Sequence, residues 1–586
     1  VSAGDKEGNL LELSVEAAKR RASLGEISDA LEKSVWHNSF FVGDTTREAV
    51  NDGLADYTPV FLSDTPDLFR RELVSIDVAL IQATPPDEHG YLNLGISVDI
   101  TKAAIANAKL VIVQMNSYMP RVLGDGFIHI DEVDFLVHHD EPLLEYADEY
   151  DNEVVAQIGQ YASRLIQDKD TLQVGYGSTP NAILSNLFDK RDLGIHTELL
   201  THGIIELMKS GAVNNIHKPL NPGRTVATFC MGKQETYDFL HDNPAFQFRT
   251  ADYTNNPLVI ARQPRIKAIN SALEIDLTGQ ATVETIGRRF FRGIGGTADF
   301  MRGAPLAPQG ETILTIPSTA LGGTVSRIVP ALAEGAGVTM NRGDIHYVVT
   351  EYGIAFLHGK NIRERAMELI AIAHPKFQPW LIEEAKRLNL IYQDQKFVPG
   401  DRGRYPQELE THRVTKTGLD IFMRPVKISD EPRLKEFFHN MSDESLYRRF
   451  MSVLKSVPHE KLQEWTVIDY ATDMVILAIL KEGEDKEEIV GVAQYQIDAP
   501  THTADAAFAV PDEYQGHGIA SELLMYLTML ARKRGLLGFT ADVLMDNISM
   551  IRVFEKMGFE TQRNYSSGAY ELHMAFVDEK DRHLNS

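Results

Sequence analysis

The sequence has very little cysteine and no long apolar run. Cys230 is the only cysteine in 586 residues, so no disulfide can form within the chain and a reducing compartment is expected. No stretch of about 18 apolar residues occurs, so no membrane span is predicted. The chain starts at Val1 without a basic and then apolar leader, so no secretory signal is expected. These absences favour a cytoplasmic protein.

Positive charge is also scarce. The chain carries 58 Lys and Arg against 83 Asp and Glu, which gives a net charge of −25. Nucleic acids and anionic membranes are bound through clustered Lys and Arg, so neither is expected as a partner. The composition, 43% hydrophobic and 24% charged, is typical of a folded globular protein. At roughly 150 residues per domain, the length predicts about four domains.

Between about residues 76 and 375, short β-branched runs alternate with helical stretches. The runs lie at residues 78–81, 110–113, 172–174, 225–229, 312–316 and 347–349. This alternation predicts an α/β fold with parallel-rich sheets. Such sheets bind their ligands at the carboxyl ends of the strands.

The character of the sequence changes past residue 400. Residues 406–422 are polar, include Pro406 and Gly418, and are interpreted as a linker. Residues 423–580 then read as a strand, two helices, a meander of strands, a helix, a strand and a helix. This order predicts a separate, mixed α/β domain.

The first 35 residues form a third kind of sequence, with a helical pattern rich in Ala, Glu and Arg. Residues 8–12 and 25–32 resemble the segment that follows the catalytic barrel of methylmalonyl-CoA mutase. None of the catalytic apparatus of that enzyme is present. Residues 1–35 are therefore interpreted as a helical arm.

Glycine-rich turns are the first candidates for ligand binding. Gly175 and Gly177 follow a predicted strand, and Thr179 and Pro180 suit the start of the helix that comes next. A denser glycine cluster lies at residues 293–300. Backbone N–H groups of such turns can approach a phosphate or thioester closely, although glycines also occur in turns for conformational reasons alone.

Three carboxylates lie in apolar surroundings, where loss of solvent can change their reactivity: Glu198, Glu274 and Glu351. Because a strand alternates its faces, each of them can equally point to solvent. The residues alone leave all three open.

A family resemblance distinguishes among them. The sequence from about 37 to 386 resembles the acetyl-CoA hydrolase/transferase family of CoA-transferases, which includes butyrate, acetate and hydroxybutyrate enzymes. The matching motifs lie in one order along the chain at residues 37–43, 85–91, 193–198, 270–277, 326–330, 349–355 and 373–375. The resemblance implies a two-lobed CoA-transferase fold, with the remainder of the amino-terminal lobe at 36–165 and the carboxy-terminal lobe at 166–405.

The resemblance also implies the chemistry. Glu198 matches the family's nucleophile, which forms a glutamyl-CoA thioester in ping-pong catalysis between a short-chain acyl-CoA, such as acetyl-CoA, and a carboxylate. Such catalysis needs no metal. The positions that match family contacts to CoA are Gln173, Gly175, Gly177, Leu273 and Gly296.

Some positions depart from the family pattern. Thr297 stands where relatives usually have Gln, and His202 replaces an acidic residue. The family's first segment, roughly the initial hundred residues, is expected to be missing, with residues 1–35 in its place.

A second resemblance covers the last unit, about residues 423–576. The turn at 510–520 and the later segment at 547–559 resemble the GNAT N-acetyltransferases, whose glycine loop binds the pyrophosphate of acyl-CoA. The implied CoA-binding residues are Val510, Gln515, Gly516, Gly518, Ala520 and Asn547. Residues 445–450 are similar to bacterial lysine acetyltransferases, which implies a protein lysine as a target.

The general acid and base of this domain stay open. Phe554 stands where many GNAT enzymes have a tyrosine, so no acid is assigned. The carboxylates Asp505, Glu513 and Asp542 are candidate bases, and each can equally be a solvated residue.

Two further clusters receive structural interpretations. The run His138-His139-Asp140-Glu141 has no matching ligand set elsewhere, so a surface loop is preferred to a metal site. Cys230 lies in an apolar strand and is interpreted as a small buried side chain.

The leading hypothesis is therefore a CoA-transferase with a fused GNAT domain. The first alternative is an acetyl-CoA hydrolase that uses the same site. The second is an acetyl-CoA-responsive regulatory lysine acetyltransferase with an inactive transferase part. A homo-oligomer is compatible with each of them. Because CoA is a polyanion and the chain is acidic, glycine-loop N–H groups and helix starts are expected to hold its phosphates more than a basic surface does.

Overall fold

The computed structural model describes residues 37–146, 152–175, 177–452, 457–482, 486–566 and 568–576. The predicted helical arm at 1–35 lies outside the described residues. The chain divides into two compact units, Val1–His374 and Pro375–Ser586. Among the described residues, no helix is both long enough and apolar enough to cross a bilayer.

The first unit alternates strands and helices, as the sequence predicts. Its helices are Arg47–Asn51, Thr65–Arg70, Thr101–Asn107, Glu153–Ser163, Ser178–Leu184, His202–Ser210, Gln234–Leu240, Ala251–Thr254, Pro257–Ile260, Thr297–Gly303 and Ile362–Ala371, with 3₁₀ turns at Leu62–Asp64, Ile130–Glu132 and Ala304–Leu306. Its strands are Asn38–Ser39, Asp56–Tyr57, Ile76–Ala83, Tyr91–Asn93, Ala108–Met115, Phe127–His129, Phe135–His138, Thr171–Val174, Gly194–Ile195, Leu199–Leu200, Thr225–Ala227, Phe229–Cys230, Phe246–Phe248, Ile266–Ser271, Glu274–Asp276, Ala281–Thr282, Thr285–Ile286, Arg289–Phe290, Glu311–Thr315, Thr319–Ala320, Val325–Ser326, Ile328–Val329, Tyr347–Thr350 and Gly353–Phe356.

Two parallel-rich sheets organise this unit. The smaller one joins Ile76–Ala83, Ala108–Met115 and Phe135–His138, all parallel. The larger one has six strands, in the spatial order Gly353–Phe356, Tyr347–Thr350, Glu311–Thr315, Ile266–Ser271, Thr171–Val174 and Gly194–Ile195. Only Gly353–Phe356 runs antiparallel to its neighbour. The central strands are buried almost throughout, because helices cover parallel sheets on both faces.

The second unit is built on one mixed sheet of eight strands. In spatial order they are Thr411–Val414, Asp420–Pro425, Asp473–Glu482, Lys486–Asp498, Thr503–Ala509, Gly538–Leu544, Ala569–Ala575 and Glu560–Ser566. Its helices are Gln378–Arg387, Glu431–His439, Asp443–Phe450, His459–Thr466, Ile519–Lys533 and Ile548–Lys556, with 3₁₀ turns at Asp401–Gly403, Gln407–Leu409, Ile428–Asp430 and Asp512–Tyr514.

The alternation of side chains along Asp473–Glu482 explains why helices pack on both faces of this sheet. Met474 and Ile476 join the cluster that contains the helix Ile519–Lys533. Val475 and Leu477 join the cluster that contains the helices between residues 431 and 466. Residues 474–480 of this strand are apolar at every position, and the strand is therefore buried on both sides there.

The interval at 406–422, interpreted as a linker, contains regular structure. Thr411–Val414 pairs antiparallel with Asp420–Pro425 and forms the edge of the eight-stranded sheet. The residues are polar because they lie on an edge strand and a turn, where exposed side chains are common. The domain boundaries themselves stay predictions.

Candidate active sites

The carboxyl edge of the six-stranded sheet gathers the three candidate carboxylates of the first unit. Glu198 follows Gly194–Ile195, Glu274 follows Ile266–Ser271, and Glu351 follows Tyr347–Thr350. The strands run in the same direction, so their carboxyl ends share one edge. This is the edge at which open parallel sheets place ligands.

Main-chain and neighbouring bonds fix the position of Glu198. Its carbonyl oxygen accepts from the N–H of Thr228 at 2.9 Å. The hydroxyl of Thr197, the preceding residue, donates to the Val174 carbonyl at 3.2 Å, next to the glycine turn that begins at Gly175. Glu198 therefore lies at a junction between its own strand, its neighbour and the glycine turn.

The side chain of Glu198 is held at one oxygen. Asn255 Nδ2 donates to Glu198 Oε2 at 2.7 Å. Gly296 lies so close that a Cβ at that position would overlap Oε2. Burial raises the pKa of Glu198 to about 7; the Asn255 hydrogen bond opposes the rise, and the negative charges of Asp299 and Asp99 add to it.

His196 supports this region from inside the protein. Its ring is buried, and Nε2 lies 2.8 Å from the Thr254 carbonyl. Burial, together with the positive charge of Lys218, lowers the pKa of His196 to about 3, so the ring is neutral. The Lys218 ammonium is itself buried and donates to the Ile195 carbonyl at 2.5 Å. His196 and Lys218 therefore stabilise the strand that leads to Glu198.

The other two carboxylates occupy different environments. Glu351 accepts from the backbone N–H of Ser318 at 2.9 Å and from its hydroxyl at 2.5 Å, so it anchors the loop that begins there. Glu274 is 8% exposed and its Oε2 has no hydrogen-bond partner among the described residues. Burial raises the pKa of Glu274, while Arg327 opposes the rise.

The residues predicted to contact CoA surround the same edge of the sheet. Gln173 and Asn270, on neighbouring strands, exchange amide hydrogen bonds at 2.9 and 3.3 Å within the buried sheet. A Cβ at Gly175 would lie 2.6 Å from Asn270 Oδ1, which explains why glycine is required there. Gly177 has φ +126° and precedes the helix Ser178–Leu184. Leu273 follows the strand Ile266–Ser271, and its N–H donates to the Thr282 carbonyl.

The sequence analysis did not identify Asn255 or Asp299 as candidate residues. Asp299 lies within the glycine cluster at 293–300 and has apolar neighbours on its helix, so the search for carboxylates in apolar surroundings could have found it. Asn255 carries no such signal, since its neighbour Asn256 reads as an ordinary helix cap.

The interpretations of two other clusters can be compared with the structure. Cys230 is 3% exposed and burial raises the pKa of its thiol, which fits a buried apolar role. A group of possible metal ligands lies away from the run at 138–141, at His202, Glu206 and Glu235. There the Lys209 ammonium donates to both Glu206 and Glu235, so these two carboxylates already have a positively charged partner within the chain.

In the second unit, strand divergence opens a cavity. Thr503–Ala509 and Gly538–Leu544 are parallel, and their pairing is confined to Thr503–Asp505 with Gly538–Thr540. Beyond that point the two strands line a cavity of about 460 Å³. The six residues predicted to bind CoA all line it: Val510, Gln515, Gly516, Gly518, Ala520 and Asn547.

The glycine turn forms one wall of this cavity. Gly516 and Gly518 have φ +82° and +89°, a conformation that favours glycine, and Gly518 directly precedes the helix Ile519–Lys533. The Gln515 amide donates to Ser445 Oγ at 3.2 Å, and Asn547 caps the helix Ile548–Lys556 through the N–H of Met550. The N–H groups of Ser521 and Glu522 donate to the Gly518 carbonyl, and the first residues of the helix, Ile519 and Ala520, line the cavity.

The lining of the cavity is cationic. It includes five basic residues, Lys416, Arg448, Arg449, Arg552 and Lys556, and one acidic residue, Asp542. Lys416 comes from the turn after Thr411–Val414, where Thr417 Oγ1 donates to the His517 carbonyl at 3.0 Å. The cavity is therefore locally basic within an acidic chain, and the expectation that glycine-loop N–H groups and helix starts hold the CoA phosphates more than a basic surface does stays a prediction.

Among the candidate acid and base positions of the second unit, Phe554 and Asp542 line this cavity, whereas Asp505 and Glu513 are not among its lining residues. Phe554 is 2% exposed and contacts Phe508 edge to face, with ring centres 5.8 Å apart. Burial and the nearby Asp542 raise the pKa of Asp505, and Arg449 opposes the rise. Glu513 lies in the 3₁₀ turn Asp512–Tyr514 before the glycine turn.

Comparison with known proteins gives the class to which these sites belong. The family models for the acetyl-CoA hydrolase/transferase N-terminal and C-terminal domains match residues 8–145 and 232–385. The model for the acetyltransferase (GNAT) family matches residues 441–559. The first of these matches begins inside the segment interpreted as a helical arm, and nothing among the matches supports the mutase resemblance.

Individual relatives agree with the family models. The chain is 47% identical over 359 residues to a 4-hydroxybutyrate coenzyme A transferase of Clostridium kluyveri, covering 61% of this chain and 84% of that protein. It is 31% identical over 233 residues to an acetyl-CoA hydrolase of Kluyveromyces lactis, covering 38% and 42%. The crystal structure of RipA from Yersinia pestis matches with a TM-score of 0.60 and 36% identity, over 65% of this chain and 91% of that one. The chain belongs to the acetyl-CoA hydrolase/transferase family and carries a GNAT domain.

Proposed function

We propose that the first unit transfers CoA between an acyl-CoA and a free carboxylate, with Glu198 as the covalent nucleophile. The observation that carries this proposal is the environment of Glu198: a carboxylate at the ligand-binding edge of the sheet, with one oxygen held by Asn255 and Gly296 packed against it. The name of the Clostridium kluyveri relative supports a short hydroxy or simple carboxylate as the acceptor class.

The reaction begins with attack of a Glu198 oxygen on the thioester carbonyl. A C–O bond forms, the C–S bond breaks, and the products are an acyl-glutamyl anhydride and CoA thiolate. The thiolate attacks the glutamyl carbonyl of the anhydride, which gives glutamyl-CoA and releases the acyl group as a carboxylate. An incoming carboxylate then attacks glutamyl-CoA, and the same two steps in reverse deliver the new acyl-CoA and regenerate Glu198.

The electrostatics of the site suit this sequence. Glu198 is half-buried, so its carboxylate has lost part of its solvent shell, which favours nucleophilic attack, and a pKa of about 7 leaves a large ionised fraction at neutral pH. Oxyanions form on the substrate carbonyl and on the glutamyl carbonyl in turn. Backbone N–H groups of the neighbouring glycine turn can stabilise them.

Hydrolysis is a second activity for the same site. If water replaces the incoming carboxylate, glutamyl-CoA is cleaved to Glu198 and free CoA. The name of the Kluyveromyces lactis relative supports this alternative. The two activities separate in one assay, which compares CoA release without an acceptor acid with acyl-CoA formation in its presence.

We propose that the second unit transfers an acetyl group from acetyl-CoA to an amine, with a protein lysine as the target class. The cavity with a glycine turn, a helix start and five cationic side chains supports binding of the CoA phosphates. The alternative is a regulatory protein whose transferase part is inactive. The hydrogen-bonded surroundings of Glu198 argue against this alternative.

Isotope exchange tests the covalent mechanism. Labelled acetate and unlabelled acetyl-CoA are incubated with the protein without any other acyl-CoA or acid. A ping-pong enzyme exchanges label into acetyl-CoA, because each half-reaction is reversible by itself. Exchange that persists in Glu198→Gln, or exchange that needs a second acyl-CoA, would contradict the proposal.

A further inference from the structure

A β-hairpin at the edge of the eight-stranded sheet contacts the glycine turn of the second unit. Its turn, residues 415–419, joins the edge strand to the neighbouring strand. The Thr417 hydroxyl donates to the carbonyl of His517, within the glycine turn, at 3.0 Å. A Cβ at Gly518 would lie 3.7 Å from the main-chain nitrogen of Lys416. The hairpin turn and the glycine turn are therefore in direct contact.

Hydrogen bonds fix the shape and the place of the hairpin turn. Thr415 is 4% exposed; its N–H donates to the Leu419 carbonyl at 2.8 Å, and its hydroxyl accepts from the Leu419 N–H at 3.2 Å. Gly418 has φ +88°, and its N–H donates to the Thr415 carbonyl. The Tyr526 hydroxyl, on the helix that follows the glycine turn, donates to the Leu409 carbonyl at 2.5 Å. The hairpin is therefore attached both to the glycine turn and to this helix.

The ammonium of Lys416 differs from the two arginines that line the same cavity. Arg448 pairs with Glu444 at 2.5 Å, and the Arg449 guanidinium lies over the ring of Trp465, 5.8 Å from its centre. The Lys416 side chain is exposed and lines the cavity, and its ammonium has no ion-pair or hydrogen-bond partner in the part of the chain that the structure describes. A lysine without a carboxylate partner can bind an anion without first losing another contact.

The place of this lysine matches the chemistry of a phosphate site. A glycine turn at a helix start offers N–H groups that carry only partial positive charge. An ammonium supplies a full charge and three donors, and it binds phosphate as a point charge. Under the proposed function, the glycine turn binds the diphosphate of acyl-CoA. A lysine that the neighbouring turn holds beside it adds the missing charge.

We propose that the hairpin turn at 415–419 is part of the acyl-CoA site of the second unit and that Lys416 binds the diphosphate. This inference rests on the proposed acetyltransferase function. The hairpin precedes residues 441–559, the part that the GNAT family model matches, so it adds a binding residue from outside the matched domain. The polar interval at 406–422 then takes part in ligand binding as well as in the sheet.

The test measures acetylation of lysine peptides by the full chain in a Glu198→Gln background, so that the first unit does not consume acetyl-CoA. Lys416→Gln is expected to raise KM for acetyl-CoA about 3- to 10-fold with kcat within about 2-fold, because the pantetheine arm separates the diphosphate from the reacting thioester. Lys416→Arg keeps the charge and should keep KM within about 2-fold. Lys435→Gln is the matched control, since Lys435 is exposed and lies outside the cavity lining. It should leave both constants unchanged.

Acetyl-CoA that lacks the 3′-phosphate distinguishes the two kinds of phosphate in the ligand. If Lys416 binds the diphosphate, Lys416→Gln raises KM by the same factor for both forms of the substrate. A factor that disappears with the dephosphorylated form would assign Lys416 to the 3′-phosphate and overturn the inference. Thr417→Val keeps every charge but removes the hydroxyl that attaches the turn to His517, so a smaller rise of KM, about 2- to 5-fold, is expected.

Titration of CoA into the same Glu198→Gln protein gives a second measurement that needs no peptide. Two sites are expected, and the site that Gly516→Glu with Gly518→Glu abolishes belongs to the second unit. Lys416→Gln should weaken that site about 3- to 10-fold and leave the other unchanged. Unchanged KM and CoA affinity in Lys416→Gln, or an equal loss in Lys416→Arg, would overturn the inference. A parent protein that has neither peptide acetylation nor the second CoA site would instead overturn the proposed function.

Discussion

Gly296 leaves no space for a side chain beside the carboxylate of Glu198. A Cβ at position 296 would overlap Glu198 Oε2 and would also crowd Asn255 Nδ2. Both neighbours are held, Glu198 by its strand junction and Asn255 by its place on a short helix. The glycine is therefore required by the nucleophile, and the backbone conformation at Gly296 (φ −93°) is one that any residue can adopt.

Gly296→Ala should remove most of the transferase activity without unfolding the chain. The methyl group displaces the Glu198 carboxylate by an ångström or more, and a misplacement of that size costs about 100-fold in rate. Gly43→Ala is the matched control, since a Cβ there meets nothing within 4 Å and the backbone is not in the left-handed region. Steady-state kinetics and a thermal melt of both variants measure the effect. Wild-type kcat in Gly296→Ala would show that the carboxylate is not the attacking group.

The transferase should lose activity as the pH falls below about 7. The nucleophile must be ionised, and burial raises the pKa of Glu198 to about 7, so protonation inactivates it over a range in which an exposed glutamate stays charged. We expect kcat/KM to fall about tenfold per pH unit on the acid side. Circular dichroism over the same range controls for unfolding. A level profile down to pH 5 would contradict the assignment of Glu198.

Glu198→Gln should stabilise the protein above neutral pH. The folded pKa of about 7 lies above the ordinary glutamate value of 4.5, so the folded state binds more protons between these values and the wild type loses stability as the pH rises through them. Glutamine carries no charge to bury. We expect the variant to be more stable than the wild type by about 1–3 kcal/mol at pH 8, with little difference at pH 4.5. Denaturant titrations at the two pH values measure it, and a wild type that is equally stable at pH 8 would contradict the burial of this charge.

The acetyltransferase unit should lose acetyl-CoA when its glycine turn is filled. Gly516→Glu with Gly518→Glu places two carboxylates at the cavity wall and strains the backbone at φ +82° and +89°. We expect transfer of labelled acetyl to lysine peptides to fall below detection while CoA transfer by the first unit continues. Gly535→Glu is the matched control, because it has φ +75° and open space just after the end of the same helix. Peptide acetylation that survives the double change would place the CoA site elsewhere.

Most of the fold could be predicted from alternating sequence patterns. The runs at 172–174, 312–316 and 347–349 coincide with buried parallel strands to within about a residue, because a strand covered on both faces is continuously apolar. Residues 406–422 do not show such an apolar pattern. An edge strand is polar and short, so its sequence is like that of a connection, and only its pairing with Asp420–Pro425 reveals it.

The site could be predicted in part. The residues alone left three carboxylates open, and the family resemblances selected Glu198, Gly296 and the glycine turn at Gly516. Asn255 is an ordinary polar residue at the end of a short helix, and it becomes a site residue only because the chain brings it to Glu198 from 57 positions away. The cationic lining of the second cavity was missed because its members come from separate elements.

The central claim is that Glu198 becomes covalently attached to CoA. The protein is incubated with acetyl-CoA, quenched in acid, digested and examined by mass spectrometry, with Glu198→Gln, Glu274→Gln and Glu351→Gln beside the wild type. The expected result is a CoA adduct on the peptide that contains Glu198 in the wild type and in the Glu274 and Glu351 variants, and none in Glu198→Gln. Turnover of acetyl-CoA without an adduct, or an adduct on the peptide of Glu274 or Glu351, would contradict it.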